Sequence, residues 1–124
     1  LSFNGGSHSL SNALLFLNQS RRHVLLTATE GSGIYVWNNA TVAIANTTIA
    51  GHSSDGLYID SGDVTLRNSI LAGNSPDIGG AGTLAISDCL VGDGSGGGTV
   101  NILAGDPGFD HDLEVIAVHL PGAV

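Results

Sequence analysis

Lysine and methionine are missing from this sequence, cysteine occurs once, and only 11% of the residues are charged. Each shortage excludes something. A single thiol, Cys89, cannot form an internal disulfide, so the fold must be held by packing and hydrogen bonds. The cations are Arg21, Arg22 and Arg67, set against eleven carboxylates, for a formal charge of −8. That balance leaves too few positive groups to neutralise phosphates or to hold an anionic bilayer, so nucleic acid is not an expected partner. Apolar runs stop at about five residues, far short of the roughly 20 that a membrane-crossing helix needs. The chain starts at Leu1 with neither Met nor signal sequence and is read as part of a longer protein.

What is there is glycine, at 19 copies, with a 42% hydrophobic share that is too high for disorder. At 124 residues the chain suits one domain. It also repeats itself. "VTLRNSILAGNS", residues 64–75, follows "VAIANTTIAGHS" by 22 residues; "TLAISDCLVGDG" is a third copy and "LSNALLFLN" a degenerate first one. Laid over one another they align Asn12, Asn46, Asn68 and Asp88, at spacings of 34, 22 and 20 residues. A second repeated line, "GIYVW" from Gly33 and "GLYID" from Gly56, precedes the first. Strands this short, alternating with period 2 and separated by Gly, Asn, Asp and Ser, cannot pair within one unit and must pair between units. A period near 20–24 residues therefore predicts a parallel β-solenoid whose windings lie about 4.8 Å apart.

The expected architecture is all-β, about four coils over residues 1–110 with an irregular long coil at 13–45, and a closing or tail segment at 111–124. Val42, Val64 and Leu84 should form one inward stack, and Ile44, Leu66 and Ile86 another. Thr47, Ser69 and Cys89 should point inward, as should Ile49, Leu71 and Val91, which makes Cys89 a packing residue rather than a nucleophile. Asn12, Asn46, Asn68 and Asp88 are expected as an interior ladder whose amides satisfy corner backbone groups. His52 aligns with Asn18 and Asn74 in a second corner column, where one ring donor and one acceptor can replace an amide.

These lines resemble the right-handed parallel β-helix superfamily, the pectate-lyase-like fold. "NTTIAGHS", "NSILAGNSPDIGG" and "AGDPGF" are similar to bacterial surface proteins described as choice-of-anchor Q or polymorphic-outer-membrane-like, over residues 31 to 110 or so. In those, an Asn-Ser/Thr-x-Ile-x-Gly-Asn line and a terminal Gly-Asp-Pro-x-Phe segment match Asn68–Asn74 and Gly105–Phe109 here. The usual "PGSPAID"-like ending survives at most as "LPGAV". The resemblance implies an extracellular or cell-surface location in a bacterium. It also implies enzymes among the relatives, the lyases and hydrolases of polysaccharides.

A lyase needs a base and cations to stabilise an enolate, often Ca²⁺ held by Asp together with Arg; a hydrolase needs paired carboxylates. The outward acids are expected to be Asp60 and Asp63, with Asp55 and Asp77 added. Asp60 and Asp63 bracket "DSGD", where Asp also serves turn chemistry. With Arg67, whose equivalents are Ser11, Ala45 and Ser87, they are the catalytic candidates. Asp110, Asp112 and Glu114 share a face if "FDHDLE" is a strand and are the metal candidates; Asp88 or Asp93 beside "GDGSGGGT" could take Ca²⁺, and no other cofactor is expected. Arg21, Arg22 and His23 form the basic cluster, in a segment that could add the strand "HVLLTAT" and touch an anionic glycan. The sequons at Asn18, Asn39 and Asn46 carry little weight in a bacterial-looking composition.

Three functions compete. A non-catalytic surface module (scaffold, adhesin or glycan contact) ranks first, because no convergent polar site is visible. Part of a polysaccharide lyase or glycoside hydrolase ranks second. A unit that self-associates through open solenoid ends ranks third.

Overall fold

The computed structural model describes residues 1–16, 32–97 and 102–108. All regular structure among them is strand, in short segments laid down in the same order on every winding. The first coil holds β1 (Ser2–Asn4), β2 (Ser7–Ser11) and β3 (Leu14–Phe16). The second holds β4 (Ile34–Trp37), β5 (Ala40–Ala45) and β6 (Thr48–Ala50). The third holds β7 (Leu57–Ile59), β8 (Gly62–Arg67) and β9 (Ile70–Ala72). The fourth holds β10 (Ile78–Gly80), β11 (Thr83–Ser87) and β12 (Cys89–Val91), and β13 (Ile102–Leu103) adds to the last sheet. Strands pair between coils into three parallel sheets: β1-β4-β7-β10, β2-β5-β8-β11 and β3-β6-β9-β12-β13. This is a parallel β-helix of about four coils. None of the described residues forms a helix long and apolar enough to cross a membrane.

The repeated lines are the register. Val42 pairs with Val64 and Val64 with Leu84; Ile44 pairs with Leu66 and Leu66 with Ile86. Leu10 lies against Ile44, and Leu15 against Ile49, so the first line belongs to the same columns. Inward alternation buries Ile34, Val36, Ile49, Leu57, Ile59, Leu66, Leu71 and Val91 almost completely, each contributing about 1.5–3 kcal/mol by leaving water. Leu84 and Ile86, in the fourth coil, are only half-buried against that core. The basic cluster Arg21, Arg22 and His23, the strand expected at "HVLLTAT" and the segment 111–124 lie outside the described residues.

The corner between the second and third sheets departs from the expected interior amide ladder. Asn12, Asn46, Asn68 and Asp88 do follow directly on paired strands and stand in one column. However, all four are exposed, with φ of 55°, 52°, 49° and 55°. The corner turns by putting one residue in the left-handed region, which Asn and Asp tolerate better than other residues with a Cβ. The inward polar column is the next residue along, Thr47, Ser69 and Cys89. Thr47 Oγ1 donates to Ala45 O at 2.9 Å, Ser69 Oγ to Arg67 O at 2.7 Å and Cys89 Sγ to Ser87 O at 3.1 Å. Ser69 Oγ also accepts from Thr47 N at 3.2 Å, which ties one coil to the next. Burial pushes the Cys89 thiol up, its backbone contacts offset this only in part, and it packs as a core residue.

The two explanations of the asparagine column separate by mutation. Asn68→Gly should leave stability within about 0.5 kcal/mol of the parent, because glycine adopts positive φ freely. Asn68→Ala should lose roughly 1–2 kcal/mol by the strain on its Cβ. Urea unfolding measures both; a Gly variant as damaged as the Ala variant would restore the interior-amide explanation.

Candidate functional site

The first sheet buries Ile34 and Val36 of β4 and Leu57 and Ile59 of β7. Because neighbours on a strand point to opposite faces, Tyr35, Trp37 and Tyr58 are turned outward. Register then puts them together. Tyr35 pairs with Tyr58, and the Asp60 N–H donates to Val36 O at 2.8 Å, so Asp60 lies beside Trp37 one coil on. The Tyr35 and Tyr58 ring centroids are 5.7 Å apart with planes inclined by 29°; Tyr35 and Trp37 are 6.2 Å apart at 15°. Such near-parallel rings, set farther apart than the roughly 3.5–4.0 Å of direct stacking, are offset and leave part of each face uncovered. Trp37 is 39% exposed, and its Nε1–H donates to Ser2 Oγ at 3.1 Å. Desolvation, then the Asp60 carboxylate and Tyr58, pushes the Tyr35 phenol above its ordinary value. The aromatic column stops at Gly79, the partner of Tyr58, because a Cβ there would strike the Asp55 carboxylate.

A second polar column lies at the corner leading back to the first sheet. Asn74 Nδ2 donates to Ile49 O at 3.0 Å, and His52 Nε2–H donates to Leu15 O at 3.0 Å, one coil earlier. Since Leu15 and Ile49 are register partners, the imidazole makes the bond that the amide makes. His52 N in turn donates to Asn74 Oδ1 at 3.0 Å. Asn74 rests on buried Asp77, whose Oδ1 accepts from Asn74 N at 3.0 Å and Nδ2 at 2.9 Å. Asp77 and Asp93 close a reciprocal pair: Asp93 N donates to Asp77 Oδ2 at 2.9 Å, and Asp77 N to Asp93 Oδ2 at 2.8 Å. Burial opposes ionisation of Asp93, but hydrogen bonds from Ser95 and the Asp77 backbone outweigh it and hold its carboxyl below the usual range. The repeated glycines make room for this column. A Cβ on Gly33 would lie 2.7 Å from His52 Nε2, and one on Gly56 2.6 Å from Asn74 Nδ2.

Asp60, Asp63 and Arg67 are exposed as expected. Asp63 and Arg67 both lie on β8, four residues apart, which is about 13 Å along a strand. Asp63 is flanked by Thr41 and Thr83, and Arg67 by Ala45 and Ser87. Asp55 and Asp77 correct the expectation that they face outward: they are 5% and 1% exposed. Strand alternation does not carry through the loops that hold them, and the corner N–H groups of Asn74 and Asp93 draw the Asp77 carboxylate inward. Asp93 is occupied by backbone N–H groups, and Asp88 belongs to the exposed corner column. Among the described residues no three His, Cys, Asp or Glu side chains gather as a metal site. The metal candidates Asp110, Asp112 and Glu114, with His111, lie outside the described residues, as does Asn18. The aromatic face was missed by sequence reasoning, although its signal was present: Tyr35 and Tyr58 hold the same slot of the two repeated lines, out of phase with the core residues beside them.

Two outcomes follow for the corner. Gly56→Ala should cost about 1–3 kcal/mol, the range for overpacking, read by urea unfolding; an unchanged midpoint would mean that Asn74 is not held there. Burial raises the Asp55 carboxyl, opposed in part by the Ser54 hydroxyl at 3.1 Å. A raised folded-state pKa adds stability below the unfolded value and loses it as pH rises through the folded one. Asp55→Asn should therefore raise the melting temperature at neutral pH, by a margin that shrinks as pH falls toward the ordinary carboxylate range near ~3.9. A margin that grew on acidification would mean that Asp55 is stabilised as the anion.

A family model described as a right handed beta helix region matches residues 15–109, most of the chain. No curated protein and no solved structure matches it. Three parallel sheets wound in register and a match of that length lead to one assignment: the chain belongs to the right-handed beta helix family.

Proposed function

We propose that this β-helix is a non-catalytic module outside the cell or on its surface, and that it makes contact with glycan. The observation that carries the reading is the outward trio Tyr35, Trp37 and Tyr58, three rings held nearly parallel on a sheet face, with the indole 39% exposed. Large apolar rings turned to water on a regular scaffold mark a binding surface more often than a packing error. The second sheet supports the scaffold part of the reading: its outward positions are mostly small, such as Thr41, Ala43, Thr65, Thr83 and Ala85. The likeness of Asn68–Asn74 and Gly105–Phe109 to choice-of-anchor Q and polymorphic-outer-membrane-like proteins supports the surface location.

The lyase or hydrolase reading has less behind it. A hydrolase needs two carboxylates facing one bond, and among the described residues Asp63 is the one acid on the outer face of the second sheet, with Arg67 about 13 Å farther along the same strand. Asp55 and Asp77, which would have enlarged an acidic site, are buried, Asp55 accepting from the Ser54 hydroxyl and Asp77 from the corner N–H groups of Asn74 and Asp93.

Electrophoresis through gels containing soluble polysaccharides tests the module, with the same polysaccharides assayed for unsaturated product and reducing ends, with and without Ca²⁺. Retardation without turnover is the expected result. Calcium-dependent release of unsaturated product would replace the module with a lyase.

A further inference from the structure

We propose that the outer face of the first sheet is the glycan site of this module, and that its ligand is an uncharged hexopyranose chain stacked on Trp37 and on the Tyr35–Tyr58 column. The inference rests on the glycan-contact reading above and gives it a place and a ligand class. Three features of the face select that class.

The first is shape. A pyranose with equatorial hydroxyls offers a flat C–H face to an aromatic ring, and an array of near-parallel offset rings offers more than one such platform. Tyr35 and Tyr58 come from successive coils, which lie about 4.8 Å apart, comparable with the step between sugars in an extended chain. The second is charge. The exposed ionisable group beside Trp37 is Asp60, the buried Asp55 closes the aromatic column at Gly79, and neither strand β4 nor β7 carries a cation. With −8 on the whole chain, a polyuronate would be repelled from this face. Sugar hydroxyls, which donate, suit a carboxylate that can only accept. The third is the polar border. Asn4 pairs with Trp37 in register, and Asn38 Nδ2 donates to Asn4 Oδ1 at 3.0 Å, so amide donors and acceptors edge the indole. A ring platform with an acid and an amide on its rim has the composition of a site for a polyhydroxylated neutral ligand.

Trp37 is the one tryptophan of the chain, so its fluorescence reports this face without any mutation. Titration of the whole chain with cellohexaose, galactomannan, polygalacturonate and chitosan, followed by Trp emission and by gel retardation, is the test. A neutral glycan should shift or quench the emission and retard the protein. Trp37→Ala and Tyr58→Ala should each weaken retardation about tenfold, roughly 1.4 kcal/mol. Asp60→Asn should weaken it a few-fold, and Asp63→Asn on the second sheet should leave it unchanged. Trp37→Phe, which keeps a ring, should recover most of the loss and shows that the alanine effect is not misfolding. Retardation with silent tryptophan and unaffected Trp37→Ala would overturn this site while leaving a glycan module intact. Binding to this face led by polygalacturonate or by chitosan would overturn the ligand class. No retardation by any glycan would remove both this inference and the function it rests on.

Discussion

Backbone pairing between coils is the constraint from which the other features follow. Each short strand has no partner within its own winding, so its N–H and C=O groups are met only by the equivalent strand one turn away. That spacing, about 4.8 Å, is too small for unlike side chains to be accommodated independently. Whatever stands at one position must tolerate nearly the same residue above and below it. Aliphatic residues therefore sit over aliphatic ones, as with Val42, Val64 and Leu84, and a hydroxyl sits over a hydroxyl, as with Thr47 and Ser69. A single odd residue in a column exposes a cavity or a polar atom in two coils at once.

Corners obey the same rule by other means. A winding must turn sharply at fixed places, and each turn interrupts the ladder. One corner turns on left-handed Asn or Asp and recovers its backbone groups with an inward hydroxyl or thiol. The other sends His52 or Asn74 across to a carbonyl of the preceding coil, and that reach is open only because Gly33 and Gly56 have no Cβ in its path. The repeated glycine, the alternation of His with Asn, and the buried Asp77 beneath Asn74 are one device. Buried polar groups of this kind are favourable when every member is paired, and among the described residues no buried side-chain N or O lacks a partner.

The parts legible in sequence are those where one physical cause leads to one residue type. Column identities at 42, 44, 49, 64, 66 and 71 were readable because burial in a narrow coil admits little but Val, Ile and Leu. Asn46 and Asn68 were readable as a column but not as a conformation, since Asn satisfies both an interior amide ladder and a left-handed turn, and only exposure and φ separate these. Asp55 and Asp77 were misread because turn acids in a −8 chain are ordinarily solvated, and nothing local announces that Asn74 and Asp93 will present their N–H groups to one of them. Tyr35 and Tyr58 were visible as a repeat yet silent as a site. A tyrosine in a strand slot is equally good in a core or on a face, and its side is fixed only by the phase of Ile34, Val36, Leu57 and Ile59.

That phase also explains why any function should be sought on the outside. Inward columns are locked to their neighbours in both directions, so chemistry placed there must satisfy three coils and becomes structural, as His52, Asp77 and Cys89 have. Outward columns share the spacing without the packing. The second sheet uses this freedom for small polar residues, and Arg67 stands there among Ala45 and Ser87 without a matching column. The first sheet uses it to hold rings in line. The aromatic column ends where Asp55 takes the space above Gly79, so even the extent of the outer face is set by a corner residue. The solenoid thus supplies a ruled surface, and the outward rings of the first sheet are the part of it on which the proposed contact rests.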